Sequence, residues 1–286
     1  MKNVSRVKGL SFVIIALLLC MIFAPSTHAV AVESSDILYV GGVGSSNYSY
    51  IQNAVDAAKP GDTVYVYSGT YYENIIIVKP INLIGENKNT TIVDGTLNAS
   101  VVYILADGVY ITGFTLQNGS RADYKNAGIE IHSLNNRIIG NIIKNNRVGV
   151  HPLWAGALDN EGNNTFMDNI VIDNDKDAFC IHSSHNIIRH NHIEGNGGGI
   201  WLQINANKNK IEQNNFINNT YNAAFYKAMF NRWDSNYWDD WIGLKGPLFK
   251  LFPKAIVKKT IFMFKFTDIP WFNFDRHPRS IPFTIT

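Results

Sequence analysis

Cysteine is nearly absent from this chain of 286 residues, which contains only Cys20 and Cys180. Cys20 lies in an apolar run near the N-terminus that we interpret below as a cleaved segment, so Cys180 is the only cysteine of the remainder. A single cysteine excludes an internal disulfide framework, even in a compartment that permits disulfides. We therefore expect stability to come from an apolar core, for which the chain supplies 46% hydrophobic residues.

Charge is also limited, because only 17% of the residues are charged and the formal net charge is +2. The first 31 residues contain three basic and no acidic side chains, so their removal leaves 22 basic against 23 acidic residues. A nearly neutral chain lacks the basic surface with which proteins bind phosphate backbones. The sequence therefore argues against nucleic acid as a partner.

The N-terminus has the three parts of a secretory signal peptide. Basic residues at Lys2, Arg6 and Lys8 precede an apolar run over residues 10–24, and Ala29 and Ala31 provide a small-x-small cleavage site. The apolar run is short for a membrane span, which makes an uncleaved anchor the weaker alternative. We predict a signal peptide over residues 1–31 and a secreted or cell-envelope location, extracellular or periplasmic.

A repeat of the form Asn-x4-Asn organises the centre of the chain. Five copies begin 28, 22, 23 and 22 residues apart, at Asn136, Asn164, Asn186, Asn209 and Asn231. Apolar and polar residues alternate within each copy, and no long helical pattern separates the copies. This period predicts a parallel β-helix with one coil per copy. We interpret the Asn residues as turn formers that tolerate left-handed backbone angles and as amides that hydrogen-bond between stacked coils.

A cap and the first coils precede the repeats. Residues 49–59 place Ile51, Ala54, Val55 and Ala58 on one face, which predicts an amphipathic helix that covers the open end of the solenoid. Residues 63–67 and 75–78 read as the first strands. Residues 80–85 and 108–113 follow in phase with the later repeats, with Gly in place of Asn at the turns.

These segments carry a family resemblance. Residues 51–64 (Ile-Gln-Asn-Ala-Val-Asp-Ala-Ala-Lys-Pro-Gly-Asp-Thr-Val), 69–74 (Gly-Thr-Tyr-Tyr-Glu-Asn) and 81–85 (Ile-Asn-Leu-Ile-Gly) resemble the opening of the right-handed β-helix superfamily, which includes pectin lyases, pectin methylesterases and NosD-like proteins. The Asn repeats resemble the carbohydrate-binding-and-hydrolase (CASH) repeat, especially its NosD-like branch. Residues 236–240 (Asn-Tyr-Trp-Asp-Asp) are similar to a segment near the end of archaeal NosD-like surface proteins.

The resemblance implies an all-β, pectin-lyase-like fold, a right-handed single-stranded parallel β-helix with an N-terminal capping helix and an irregular C-terminal cap. We assign the β-helix to residues 36–241 and the cap or tail to residues 242–286. The tail is apolar and basic at residues 244–253 and 260–266. A patch that contacts a membrane is the alternative there, but a cap is favoured because an uncapped solenoid exposes strand edges. The fold alone does not set an activity.

A second strand precedes each Asn repeat, at residues 128–132, 149–153, 178–182 and 199–203. Alternation points their second and fourth residues inward, namely Ile129, Ile131, Phe179, Ile181, Ile200 and Leu202. The third and fifth residues then face outward. Since coils stack about 4.8 Å apart, this predicts one outward wall of side chains, made of Glu130, His132, His151, Cys180, His182, Trp201 and Gln203.

Two functions and a purely structural role compete for this wall. In the first, Trp201 and Trp154 stack on sugar rings while Glu130, His132, His182 and Gln203 bond hydroxyl groups, and an insertion over residues 152–162 borders the groove. In the second, copper or zinc is bound by His132, His151, Cys180 and His182, in line with the association of the NosD name with copper-site assembly in nitrous oxide reductase. In the third, these side chains only cover the sheet.

Catalysis and calcium binding have less support. Asp173, Asp175 and Asp177 begin like a calcium loop, but Ala178 and Ser184 replace the Gly and Glu that such a loop requires. The Asn-Thr-Asp, Asp-Asp and Gly-His-Gly series of pectin hydrolases is absent, as are the paired residues of pectin methylesterases. We predict a secreted or surface protein that binds a glycan or another cell-surface polymer without a cofactor. A metal-handling protein and a polysaccharide lyase or hydrolase are the alternatives.

Overall fold

The computed structural model describes residues 35–123, 125–153, 161–241, 254–258 and 273–286, with backbone alone at 254–258 and 273. Within these ranges the chain is a right-handed parallel β-solenoid with a single helix, which confirms the predicted fold class. The predicted signal peptide, Trp154 and the two apolar stretches of the tail lie outside the described residues. No helix in the described ranges has the length and apolar character needed to cross a membrane.

Successive coils contribute strands to three sheets, and the strands are numbered in chain order. Sheet A consists of β1 (Ile37–Val40), β2 (Thr63–Val66), β5 (Asn82–Gly85), β8 (Tyr110–Thr112), β11 (Arg137–Ile139), β14 (Thr165–Met167), β17 (Ile187–Arg189), β20 (Lys210–Glu212), β23 (Arg232–Asp234) and β26 (Asn273–Asp275). Sheet B consists of β3 (Gly69–Tyr72), β6 (Thr91–Asp94), β9 (Thr115–Gln117), β12 (Ile142–Lys144), β15 (Ile170–Ile172), β18 (His192–Glu194), β21 (Asn215–Ile217) and β24 (Tyr237–Trp238). Sheet C consists of β4 (Ile75–Ile77), β7 (Val102–Ile104), β10 (Ala127–Ile131), β13 (Val148–Pro152), β16 (Asp177–Ile181), β19 (Gly198–Leu202), β22 (Ala223–Phe225) and β25 (Lys254–Lys258).

Sheet B is the element that the sequence reading did not anticipate, because that reading found only two strands in each coil. The missing strands follow the second Asn of each repeat and are two or three residues long, as in β12 and β24. Each places one apolar side chain inward, such as Ile143, Val171 or Ile193. The sheet A strands of the same coils are equally short, as in β11, and the Asn-x4-Asn spacing also recurs around β12, from Asn141 to Asn146.

The core consists of apolar columns that run along the solenoid. In sheet C, Ile129 pairs with Val150, Val150 with Phe179, and Phe179 with Ile200, and all four side chains are fully buried. This is the interior column that the sequence predicted. Near the C-terminal end, the Phe216 and Trp238 rings stack 4.2 Å apart between successive coils of sheet B. Burial of side chains of this size stabilises the fold by about 1.5–3 kcal/mol each.

Asparagine ladders connect the coils at three corners, one more than the repeat pattern predicted. The first residues of the Asn-x4-Asn copies form the first ladder, and the second residues of the copies form the second ladder. The third ladder consists of Asn146, Asn174, Asn196 and Asn219. In a typical step, the Asn141 amide N–H donates to Oδ1 of Asn169 at 3.0 Å, and Asn141 Nδ2 donates to the same oxygen at 3.3 Å. The predicted bonding of amides between coils is therefore confirmed.

The predicted backbone role of these asparagines is wrong. The left-handed conformation belongs to the residue before each ladder Asn, such as His185 (φ 61°) before Asn186 or Asp168 (φ 56°) before Asn169. The preceding residues are chemically varied, whereas the buried Asn follows without a positive φ and orients its amide toward the next coil. Hydrogen bonding rather than backbone tolerance is therefore the reason for Asn at the ladder positions.

Helix α1 (Ile51–Ala57) packs against the first coil and is shorter than the predicted span of residues 49–59. The Ile51 and Gln52 amide N–H groups donate to the Glu73 carboxylate at 2.8 and 2.9 Å. The carboxylate thus caps the start of the helix, where free N–H groups and the helix dipole favour a negative charge. Ile51, Ala54 and Val55 face inward and are buried, so the helix covers the first coil as expected.

The chain after residue 241 continues the stack where it is described. Strand β25 pairs with β22, and β26 pairs with β23 in parallel and with β25 in antiparallel orientation. Asp275, which is fully buried, takes the next position of the second ladder and accepts bonds from the Asn236 amide N–H and Nδ2. Its Oδ2 atom also accepts from Trp238 Nε1 at 2.9 Å. Burial outweighs these bonds and raises the pKa of Asp275.

Candidate functional site

The predicted wall of side chains lies on the outer face of sheet C. Glu130 pairs with His151, and Cys180 pairs with Trp201. Val150 pairs with Phe179, so the same register places His151 next to Cys180. The third strand positions therefore stack in the predicted order. The wall is not an open surface, however, because β10, β13 and β16 are buried at all five positions.

Two of the predicted wall residues form a polar group of their own. Glu130, only 7% exposed, accepts a bond from Ser100 Oγ at 2.6 Å, and its other oxygen lies 2.8 Å from His132 Nε2. The His132 ring packs on Tyr103 with ring centroids 5.0 Å apart. Glu130 and His132 are thus bonded to each other rather than directed toward the remaining members of the wall.

The next coils bring His151, Cys180 and His182 together. One candidate ligand atom from each residue lies within 4.8 Å of the other two, and no other such trio of His, Cys, Asp or Glu side chains occurs among the described residues. Cys180 Sγ lies 3.6 Å from His182 Nε2, and the two imidazole centroids are 5.1 Å apart. His132, the fourth predicted ligand, is not part of this trio.

Burial keeps both imidazoles of the trio neutral. It lowers the pKa of His151 to about 4, while a bond between His151 Nδ1 and the Lys125 carbonyl oxygen opposes the shift and the nearby His182 reinforces it. Burial alone lowers the pKa of His182 to about 4. At pH 7 each ring therefore carries one N–H and one nitrogen lone pair.

A cleft of about 590 Å³ opens over this trio. His151, Cys180, His182, Trp201 and Gln203, all predicted from the sequence, line it. Glu130 and His132 are not among the lining residues. The lining also includes residues that the sequence reading did not select, namely Arg147, Val148, Lys176, Gly197, Thr220, Tyr221, Asp175 and Asp177.

Tyr221 is the most informative of the residues that the sequence reading missed. Its hydroxyl donates to Oδ1 of Asp177, two coils away along the stack. Burial and the Asp177 carboxylate raise the pKa of the Tyr221 phenol, so the hydroxyl stays protonated. Tyr221 lies in a turn between β21 and β22, outside the strand positions from which the wall was predicted. The nearby Asn-x4-Asn spacing does mark this turn, but it does not indicate which side chain points over sheet C.

The aspartates considered for calcium take separate partners. Asp177 accepts from Tyr221, and Asp175 Oδ2 lies 3.2 Å from Arg121 Nε on the surface. Asp173 has a left-handed backbone (φ 53°), and its amide N–H donates to the Glu194 carbonyl oxygen. The three residues therefore serve a turn, an ion pair and the cleft wall, and their carboxylates do not form a cluster of ligand atoms among the described residues.

Comparison with known proteins agrees with this architecture. A pectate lyase has a similar structure with a TM-score of 0.55 and 16% identity, covering 72% of this chain and 70% of that chain. Pectin methylesterases from Aspergillus niger (TM-score 0.52, 16% identity, 72% of this chain and 77% of that chain) and from carrot (0.50, 15%, 71% and 77%) are also similar. Such low identities show a shared fold and nothing finer.

The sequence itself matches one family. None of the curated proteins matches the chain. Residues 81–235, which are 155 of the 286 residues, match the family described as "Right handed beta helix region". The matched segment contains strands β5 to β23 of the three sheets and all of the residues that line the cleft. The chain therefore belongs to the right-handed β-helix family.

Proposed function

We propose that the protein binds carbohydrate in the cleft over sheet C without cleaving it. The observation that carries this proposal is the combination of aromatic and polar side chains around one concave volume of about 590 Å³. Sugar rings have an apolar face that packs on aromatic side chains and a rim of hydroxyl groups that needs hydrogen-bond partners. The cleft offers both kinds of contact.

Trp201 is the proposed stacking platform. It is partly exposed on β19 and packs against Ala127, Val148 and Cys180, which hold the indole against the outer face of sheet C. A side chain supported in this way loses little conformational entropy when a ligand covers it. The polar groups for hydroxyl recognition lie around it, from Gln203, Arg147 and Thr220.

Binding without cleavage is favoured because the two carboxylates of the cleft serve other contacts. Asp177 accepts the Tyr221 hydroxyl, and Asp175 forms an ion pair with Arg121. A glycosidase instead requires one carboxyl group that donates a proton and another that attacks or activates water. Two similar solved structures are a pectate lyase and a pectin methylesterase, which supports a polysaccharide ligand and keeps a lyase or hydrolase as the alternative.

The wider setting is part of the same proposal. With the signal-like segment at residues 1–31, we place the protein outside the cytoplasm, secreted or in the cell envelope, where a glycan or another surface polymer is its partner. The Asn repeats and the Asn-Tyr-Trp-Asp-Asp segment at 236–240 support our proposal that it belongs to the NosD-like, CASH-type branch of archaeal surface proteins.

A glycan array followed by titration with the best ligand tests the proposal. We expect Trp201→Ala to weaken binding at least about 10-fold, equivalent to about 1.4 kcal/mol, since aromatic anchors dominate such contacts. Tyr72→Ala is the matched control, because Tyr72 is an exposed aromatic residue on sheet B, away from the cleft. An array without binding, or equal affinities for the two variants, would refute the proposal. Release of shortened or unsaturated sugars would instead identify an enzyme.

A further inference from the structure

We propose that His151, Cys180 and His182 form a metal site for zinc(II) or copper(I) at the base of the cleft. The three residues come from two adjacent coils of sheet C, where their candidate ligand atoms lie within 4.8 Å of one another. The stacking of coils places them together, so the site depends on the fold rather than on a contiguous motif. It is a second ligand site, chemically distinct from the proposed carbohydrate contacts.

The distances agree with coordination of one ion. Zinc lies about 2.3 Å from sulfur and about 2.0–2.1 Å from nitrogen, so the ligand atoms of a tetrahedral site are about 3.3–3.7 Å apart. Cys180 Sγ and His182 Nε2 are already 3.6 Å apart. The largest separation in the trio, at most 4.8 Å, requires a shift of about 1 Å, which a small rotation about a histidine χ angle provides.

His151 gives an independent indication of a ligand. Its side chain is 1% exposed, and its Nδ1 atom lies 3.1 Å from the Lys125 carbonyl oxygen. A neutral ring that donates from Nδ1 presents the lone pair of Nε2, yet Nε2 is buried and has no hydrogen-bond partner among the described residues. Leaving such an atom unsatisfied costs about 1–3 kcal/mol. A carbonyl on one nitrogen and a metal on the other is the usual environment of a histidine ligand.

The donor set selects the type of ion. One thiolate and two neutral imidazoles favour zinc(II) or copper(I), whereas magnesium and calcium require oxygen ligands. Cys180 binds such an ion as a thiolate, so binding releases the thiol proton to the solvent. Three protein ligands leave a coordination position for water or for a group of the bound ligand.

The test uses the full chain after treatment with a chelator. Zinc(II) is titrated against a competing chromophoric chelator, and copper(I) is titrated anaerobically in a separate arm. We expect one equivalent of at least one of these ions, with release of one proton. Cobalt(II) at the same site should show a thiolate-to-metal charge-transfer band. Calcium and magnesium should not compete.

Variants identify the ligands. Cys180→Ser, which is almost isosteric, should abolish the charge-transfer band. His182→Gln and His151→Gln should each weaken metal binding by more than about 10- to 100-fold, because loss of a residue that only hydrogen-bonds to a metal ligand already weakens binding by that factor. His192→Gln is the control, because His192 lies on sheet B next to Glu194. Far-ultraviolet circular dichroism checks that each variant is folded.

Two results would overturn the site. One is the absence of stoichiometric zinc(II) and copper(I) binding, and the other is a Cys180→Ser variant with unchanged affinity. Glycan binding measured on metal-stripped protein keeps the two proposals separate. Retained glycan binding without any metal binding would refute this inference alone, and metal binding without glycan binding would refute the proposed function alone.

Discussion

Replacement of Asn191 by alanine should be among the most destabilising single changes in this protein. Asn191 is fully buried in the middle of the second ladder. Its Oδ1 atom accepts from the Asn169 amide N–H at 3.0 Å and from Asn169 Nδ2 at 3.1 Å. Its Nδ2 group donates to Oδ1 of Asn214 at 2.9 Å and to the carbonyl oxygens of Phe166 and Arg189. One side chain therefore connects three consecutive coils.

The expected loss of stability depends on which buried polar groups lose all of their hydrogen-bond partners. Asn169 Nδ2 keeps a bond to the Ile138 carbonyl oxygen, and Asn214 Oδ1 keeps the Asn191 backbone N–H. The Asn169 amide N–H keeps none of its described partners, and a stranded buried donor costs about 1–3 kcal/mol. Loss of the remaining side-chain bonds and the vacated volume bring the expected loss to about 3–5 kcal/mol in the free energy of unfolding.

Urea unfolding followed by circular dichroism measures this loss, with Asn89→Ala as the control. Asn89 is exposed in a turn, and its backbone bond to Oδ1 of Asn87 survives the substitution, so the change should stay within about 0.5 kcal/mol. If Asn191→Ala and Asn89→Ala had equal stabilities, the ladders would not stabilise the stack and the reasoning would be refuted. Asn191→Asp should also be destabilising at pH 7, because a carboxylate would face three acceptor oxygens.

Two further predictions concern the ends of the ladders. Gly113→Ala should lower the free energy of unfolding by more than about 3 kcal/mol, because Gly113 has φ 82° and a Cβ atom there would collide with the Gly85 carbonyl oxygen. Gly108→Ala is the control and should cost only about 1–2 kcal/mol, because Gly108 has φ 75° but faces open space. Thermal unfolding compares the two variants, and equal losses of stability would contradict the steric reason. Asp275→Asn keeps an acceptor for Asn236 and removes a buried charge. Since the folded pKa of Asp275 is raised, the wild type binds the extra proton when folded and loses stability as the pH rises above 3.8 through that pKa. The variant should lack this loss in a series of denaturation curves, and parallel pH profiles would count against a charged Asp275 as its cause.

Much of the solenoid could be predicted from the sequence, because every coil must meet the same structural requirements as its neighbours. Each coil must turn at fixed corners, and each buried turn needs an amide for the coils above and below it, so Asn recurs at Asn136, Asn164 and Asn186. The alternation of inward residues in sheet C was equally local, and Ile129, Phe179 and Ile200 share one column as predicted. Sheet B was not predicted, although Asn141 and Asn146 flank strand β12 with the same Asn-x4-Asn spacing that marks sheet A.

One part of the candidate site could likewise be predicted from the sequence, and another part could not. Periodicity alone predicted that Glu130, His151, Cys180 and Trp201 stack in this order, because register fixes which residues are vertical neighbours. It did not predict that Glu130 turns back to His132, or that Tyr221 reaches Asp177 from a turn. Those contacts depend on side-chain directions and on the segments that lie over sheet C, and neither has a period.

The sequence by itself determined the coil length, the positions of two Asn ladders and the inward column of sheet C, since each follows from a pattern repeated every 22–28 residues. Only the tertiary structure decided which members of the wall converge. His151, Cys180 and His182 approach within 4.8 Å while His132 bonds to Glu130. The physical reason is that backbone hydrogen bonds impose the register of a β-helix over its whole length, whereas the direction of each outward side chain is set by the few atoms around it.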